Sequence, residues 1–383
     1  MSHNNKNLRL FLAEWLFTPL AGILLGNWLH LLLRHGKNIG WRYIPKAIFT
    51  TFMALLNSLV FLFEKALYQQ KIKRQTVTAP VFIIGHHRSG TTHLWNLLTQ
   101  DERFTYPSVL QAVFPHTFLI FEKMIHGLAQ SFAPKKRPQD NVSMNPDSPI
   151  EEERALCTAT FLSLQMGRHF PQKRDTFLPL LSLSGLSAND KQRWADAFRE
   201  FAQKLLLRHG SERTLIFKTP DHTAKVQEIL KVFPDARFVH IHRHPYHVFR
   251  STVNMEKTTV PLYAYQKPRL HDLEDFVLRR YGIMYDHLLK SKTEVPARQF
   301  TEVAYHEVDE NPVETVARIY RDLSLPHFEN ARPRLERYVD SLQGYRKNRY
   351  SDLPAEQKQK INEQWKAVFE AYSYEKETEN EHG

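Results

Sequence analysis

Residues 81–98 read VFIIGHHRSGTTHLWNLL. Val81–Ile84 is a short apolar run that reads as a strand. It enters a turn at Gly85, and a helical stretch opens at Thr91 or Thr92. Four residues separate Gly85 from Gly90, and Thr91 and Thr92 follow. This is the spacing of a phosphate-binding loop, with Thr91 where a nucleotide triphosphatase carries lysine. In such a strand–turn–helix the N–H groups of Ser89, Gly90, Thr91 and Thr92 face an anion, and the helix dipole adds positive charge. Gly90 lets the backbone approach the phosphate closely. Without the lysine, a β,γ-phosphate–Mg²⁺ site is disfavoured. Arg88, placed before the glycine, suits one 5′-phosphate carrying a single transferable group. A tight turn that binds nothing has no use for Arg, Ser and two Thr together.

Outward from this loop, apolar strand candidates alternate with helical stretches. The strands are Pro80–Gly85, Thr214–Phe217, Arg237–Ile241 and Gln299–Ala304; the helices include Thr92–Thr99, Thr223–Phe233 and Pro312–Leu323. Alternation of this kind predicts a mostly parallel sheet covered by helices, with ligands beyond the carboxyl ends of the strands. A second patterned segment, ARFVHIHRHPYHVFRSTVNM, spans residues 236–255. It reads strand, proline-containing turn, helix, with Arg243 at the strand end and Ser251 about two helical turns later. His240, His242, His244 and His247 crowd this segment. A metal site is the tempting reading, but no carboxylate or cysteine sits at supporting spacing, so histidines satisfied near an anionic ligand are expected instead.

HHRSGTTHLWNLL resembles the 5′-phosphosulfate loop of sulfotransferases, whose donor is 3′-phosphoadenosine 5′-phosphosulfate (PAPS). The cytosolic branch carries Lys at the position of Arg88; other branches, many of them bacterial, carry Arg. The segment holding Arg243 and Ser251 is similar to the family's 3′-phosphate element. The resemblance covers roughly residues 79–355 and implies a three-layer α/β/α, P-loop NTPase-like sulfotransferase fold. It implies that Arg88 and Ser89–Thr92 hold the 5′-phosphosulfate, and that Arg243 and Ser251 hold the 3′-phosphate. Lys218, in a stretch similar to the family's Lys-Ser/Thr-Pro element, would stabilise the leaving oxygen. Arg346 and Lys347 resemble a basic loop over the 3′-phosphate, although Asn348 stands where that loop has Gly.

Two candidates remain for the base that accepts the acceptor's proton. His222 lies four residues after Lys218, where the cytosolic branch has a spacing of two. Glu151, Glu152 and Glu153 lie in NPDSPIEEERAL, residues 145–156, which resembles a segment of bacterial relatives. Helix capping by Ser148, with Pro149 at the first helical position and acids in the first turn, would equally account for these carboxylates. Asp221 reads as an N-cap for the helix that follows it.

The whole chain has 383 residues and ordinary globular composition, with 42% hydrophobic and 24% charged residues. Lys and Arg number 52 against 41 Asp and Glu, giving +11, which favours anionic ligands or membranes. Cys157, the single cysteine, excludes an intrachain disulfide and a multi-thiolate metal site. Trp15–Leu33, just after Glu14, and Ile48–Phe63 are uncharged, apolar runs with basic residues between them and beyond the second. They read as core helices, as a monotopic anchor or as one membrane span. Phe114, Phe118, Phe121, Phe132 and Phe161 would suit a lipid or amphipathic acceptor.

These observations predict a hydrophobic helical segment at 1–75, a sulfotransferase domain at 76–355, and a C-terminal helix and polar tail at 356–383. The expected reaction is sulfuryl transfer from PAPS to a hydroxyl acceptor, with no metal and no nucleic acid, on the cytoplasmic face of a membrane. Two other classes stay open: an ATP-dependent P-loop kinase and a non-catalytic polyanion-binding protein.

Overall fold

The computed structural model describes residues 19–122, 124, 127, 145–342 and 352–376. The chain divides into two compact units. One comprises Met1–Val77, Tyr106–Arg213 and Lys257–Arg269; the other comprises Thr78–Thr105, Thr214–Glu256 and Leu270–Gly383. The units are discontinuous, unlike the three consecutive segments expected from the sequence. A parallel sheet needs long crossovers, and here the connections to Thr214 and to Leu270 contribute to another unit.

The second unit holds strands β1 (Val81–Ile84), β2 (Phe104–Thr105), β3 (Thr214–Lys218), β4 (Arg237–His242) and β5 (Phe300–Ala304). They form one parallel sheet in the order β2-β3-β1-β4-β5. All four β1 residues are buried, as a strand covered on both faces requires. The Phe82 ring packs with Phe217 and Phe238 at centroid distances of 5.3 and 5.5 Å. Strand register places Ile83 opposite Lys218, and Ile84 opposite His240. At their carboxyl ends β3 therefore stops one residue short of β1, and β4 runs two residues beyond it. The predicted strands appear within a residue of their expected bounds. The two-residue β2 was too short to show any alternation.

The first unit is helical and includes Leu25–His35, Ile44–Lys73, Glu153–Thr160 and Ala188–His209. Ser187 caps the last of these by accepting from the Asp190 N–H at 3.1 Å. The helix Ile44–Lys73 packs Met53 against Val109, Leu110, Val113 and Phe121. Phe114 and Phe121 stack at 5.2 Å, and Phe118 meets Phe201 edge-on. Phe114, Phe118 and Phe121 are thus core residues and offer no surface to an acceptor. Phe132 lies outside the described residues.

The acidic segment departs from the sequence reading in an informative way. Helix formation starts at Glu153, with Glu152 at the N-cap, rather than at Ser148 and Pro149. Residues 148–150 are instead tied to extended chain. Ser108 and Pro149 form an antiparallel bridge, and the Ile150 N–H donates to the Pro107 carbonyl at 3.0 Å. The Ser148 hydroxyl accepts from the Asn145 N–H at 2.9 Å and so closes a turn. Tertiary pairing has overridden the local capping signal.

Candidate active site

The loop between β1 and helix Thr91–Leu98 is built around two glycines that nothing else can replace. Gly85 and Gly90 have φ of +140° and +107°. A Cβ at Gly85 would lie 2.3 Å from the Ile241 carbonyl oxygen, and one at Gly90 would lie 2.5 Å from the Tyr305 ring. Arg88 is also left-handed, with φ +70°, an uncommon conformation for a side chain of its size. The first-turn N–H groups of the helix, at Thr91 and Thr92, have no intrahelical acceptor. Ser89 behaves differently from expectation: its N–H and its hydroxyl both donate to the His86 carbonyl, at 3.2 and 2.8 Å. It braces the turn from within.

Surrounding elements hold this loop in place. The Gly85 N–H donates to Thr223 Oγ1 at 2.7 Å, and Thr252 Oγ1 donates to the His87 carbonyl at 3.2 Å. Most telling is the Arg88 Nε–H, which donates to Ser251 Oγ at 2.8 Å. Residues 163 positions apart, one from each sequence signature, are therefore in direct contact. Arg243, at the end of β4, lies over the Tyr305 ring at 4.0 Å. Lys218, at the end of β3, is 2% exposed and sits 5.2 Å over the Trp95 ring. The cations predicted from β1, β3 and β4 thus all belong to one sheet edge.

Behind the loop lies a buried polar layer. His86 Nδ1 contacts the His87 carbonyl at 2.9 Å, and its ring packs on Tyr281. Burial, and then the Arg280 charge, push the His86 pKa well down, so this imidazole is neutral. His87 Nε2 meets Asp221 Oδ1 at 3.3 Å. Burial disfavours ionised Asp221, but the His87 hydrogen bond and the charges of His87, Lys225 and Arg280 outweigh it and hold the carboxyl well below the usual range. Asp221 lies inside the 3₁₀ turn Pro220–Ala224, so it does not cap the following helix. Arg280 and Glu256 form a buried ion pair at 2.7 Å.

The histidine-rich strand finds partners that sequence spacing concealed. His240 is opposite Glu302 in the β4–β5 register and contacts it at 2.9 Å. His242 Nδ1 meets the Tyr374 hydroxyl at 2.7 Å and stacks on Tyr372 at 4.1 Å. His244 Nε2 contacts the Glu375 carbonyl at 3.2 Å, so the chain near Tyr374 is packed at the end of β4.

His222 is fully buried, edge-on to Phe82 at 6.0 Å, in the aromatic core beside β1. Glu152 and Glu153 are also fully buried, whereas Glu151 is half-buried. Arg346 and Lys347 lie outside the described residues. Sequence reasoning missed Thr223, Thr252, Trp95, Tyr305 and Glu302. Only the two threonines carried a signal, since each adjoins a residue already singled out.

Comparison with known proteins gives the same reading. A sequence profile described as the sulfotransferase family matches residues 80–330. Two curated relatives, from Mycobacterium bovis and Mycobacterium tuberculosis, are named omega-hydroxy-beta-dihydromenaquinone-9 sulfotransferase Stf3. Each is 30% identical over 367 residues, covering 95% of this chain and 93% of the relative. Among solved structures, sulfotransferase STF1 from Mycobacterium tuberculosis aligns with TM-score 0.66 at 17% identity, covering 90% of this chain and 92% of that one. Sulfotransferase STF9 from Mycobacterium avium aligns with TM-score 0.64 at 19% identity, covering 84% and 83%. These two establish the shared fold. With the profile spanning both patterned segments and the relatives spanning nearly the whole chain, the protein belongs to the sulfotransferase family and is a sulfotransferase.

Proposed function

We propose that the enzyme transfers the sulfuryl group of PAPS to a hydroxyl on a lipid acceptor at a membrane surface, on the cytoplasmic side. The observation that carries the donor assignment is the Arg88–Ser251 contact, which brings the 5′- and 3′-phosphate elements to one place. Thr91 and Thr92 offer N–H groups to the 5′-phosphate, with Ser89 and Gly90 shaping the turn. Arg243 and Ser251 hold the 3′-phosphate.

The acceptor oxygen attacks sulfur in line, and the bond from sulfur to the bridging phosphate oxygen breaks. The bond's electron pair stays on that oxygen, giving 3′-phosphoadenosine 5′-phosphate. Lys218 and Arg88 stabilise the charge that develops there. Arg88 acts there as a cation with a planar fork of donors. With two protein cations at the bridge, the reaction proceeds without a metal.

The acceptor proton goes to a carboxylate, Glu152, in preference to His222. Glu152 stands at the N-cap of Glu153–Thr160, but its side chain makes no capping bond, and the carboxyl is buried. His222 has the packing of a core histidine. A lipid acceptor is supported by the two relatives named for a hydroxylated menaquinone.

Transfer from ³⁵S-labelled PAPS to detergent-dispersed ω-hydroxy menaquinone, soluble sugars and phenols tests this reading. The lipid should be the best acceptor, and EDTA should leave the rate unchanged. Glu152→Gln should lower kcat about 100-fold, whereas His222→Gln should mainly lower stability. Preference for a soluble sugar would overturn the lipid assignment, and a larger kcat loss in the His222 variant would overturn the base.

A further inference from the structure

The helix Ile44–Lys73 has two faces of different character. Along one, Lys46, Thr50, Met53, Ala54, Asn57 and Glu64 are buried. Their polar groups are bonded into the first unit. Lys46 Nζ donates to the carbonyls of Leu262 and Tyr263, each at 3.2 Å, and Asn57 Nδ2 donates to the Ala21 carbonyl at 2.7 Å. Glu64 pairs with Lys204, and Thr50 Oγ1 meets the Tyr265 hydroxyl. Along the opposite face Ile48, Phe52, Leu55, Leu59, Leu62 and Leu67 are each 50–65% exposed. Their spacing follows the helical period, so they form one stripe, about 30 Å long at 1.5 Å per residue. Contiguous exposed apolar surface on this scale marks a binding face.

The surrounding charge indicates what binds there. Glu64 is the only acidic residue between positions 19 and 78, and it is buried against Lys204. Arg34, Lys37 and Arg42 precede the stripe, and Lys65, Lys71, Lys73 and Arg74 follow or flank it; all are exposed. Trp41, 75% exposed, adds an aromatic group of the kind that favours the membrane interface.

We propose that this helix lies in the plane of an anionic lipid bilayer. Its stripe sinks to the boundary of headgroups and acyl chains, and the cations contact lipid phosphates. The helix is long and apolar enough to cross a bilayer, with a mean hydropathy of 1.7. Crossing, however, would strip Lys46, Asn57 and Glu64 from their partners or carry that protein face into hydrocarbon, and both are costly. A second copy of the chain fits poorly, because pairing two such faces would oppose cations with cations. This assigns a surface to the membrane setting of the proposed reaction but depends on no particular donor or acceptor.

Vesicle flotation of the full chain, without donor or acceptor, tests the proposal separately from catalysis. Phosphatidylcholine vesicles with and without phosphatidylglycerol would be compared for the wild type, a Phe52→Ser/Leu59→Ser/Leu62→Ser variant, and a Lys71→Glu/Lys73→Glu/Arg74→Glu variant. Unchanged thermal midpoints establish that the variants, altered only at exposed positions, are folded. The wild type should bind the phosphatidylglycerol vesicles and be released by alkaline carbonate. Each variant should bind about tenfold more weakly or worse. Absence of vesicle binding by folded wild type, or undiminished binding by the triple-serine variant, would overturn the proposal. So would resistance to carbonate extraction, the mark of a span. A dimer that the serine variant dissociates, in protein that ignores vesicles, would assign the face to a second copy instead.

Discussion

The carboxyl edge of the sheet and the exposed side of helix Ile44–Lys73, the two surfaces proposed to bind, are built on opposite plans. At the sheet edge the groups are few, and each is already oriented by a neighbour: Arg88 by Ser251, Arg243 by Tyr305, Lys218 by Trp95. On the helix the groups are many, uncovered and chemically alike. A preorganised polar site fails when one geometry is spoiled, because its donors work only at fixed positions. An apolar stripe loses affinity in proportion to the area removed. Single substitutions should therefore be severe at the sheet edge and mild on the helix.

The largest expected effect is that of Arg88→Ala, which removes the cation proposed for the bridging oxygen and the link to Ser251. Steady-state kinetics should give a loss of about 10²–10³ in kcat. Near-normal turnover would erase the contrast between the two surfaces. Gly90→Ala comes next, since any Cβ meets the Tyr305 ring and the residue must keep φ +107°. A displaced loop should cost about 100-fold in kcat/KM.

Lys204→Met probes what anchors the opposite face of the helix. It leaves the buried Glu64 carboxyl without its ammonium partner, so denaturant melts should show about 3–5 kcal/mol of destabilisation. A neutral result would mean that the buried side of the helix is held by apolar packing alone.

Acid should loosen the fold in both units. Burial pushes the pKa values of His116 and His169, in the first unit, and His242, in the second, down to about 3 from 6.5. The unfolded chain binds these protons first. Stability is therefore fully present above pH 6.5 and falls steadily as the pH drops toward 3. Urea midpoints across that window check the sign, and flat midpoints between pH 6.5 and 5 would contradict it. The smallest effect is that of Phe52→Ser alone. It should weaken vesicle binding only about threefold to tenfold and leave kcat on a soluble substrate unchanged.

The two plans also explain how much of the molecule is legible in its amino-acid sequence. The glycines of the loop are legible because Gly85 and Gly90 answer a requirement of their own backbone, whereas Ser89, read as offering its N–H to an anion, turns inward to the His86 carbonyl. Strands β1, β3, β4 and β5 are legible for a similar reason, as short apolar runs bounded by polar turns. The true role of Ser148 is not, because the pairing of Ser108 with Pro149 holds that chain extended. Asp221 looks like a cap but faces His87, 134 positions away. Glu302 partners His240 only through strand register, which histidine spacing cannot reveal. The helix Ile44–Lys73 allows three readings because an apolar run shows its composition but not which side is covered. The contacts of Lys46, Asn57 and Glu64 identify the covered side.

The central claim is that two distant sequence elements make one PAPS site, and calorimetry of 3′-phosphoadenosine 5′-phosphate binding tests it most directly. The titrations would be run in EDTA on wild type and Arg243→Ala, beside ATP with Mg²⁺. The account predicts metal-free binding by the wild type, at least tenfold weaker binding by the variant, and no comparable affinity for ATP. Preference for ATP with Mg²⁺, or equal binding by the variant, would contradict it.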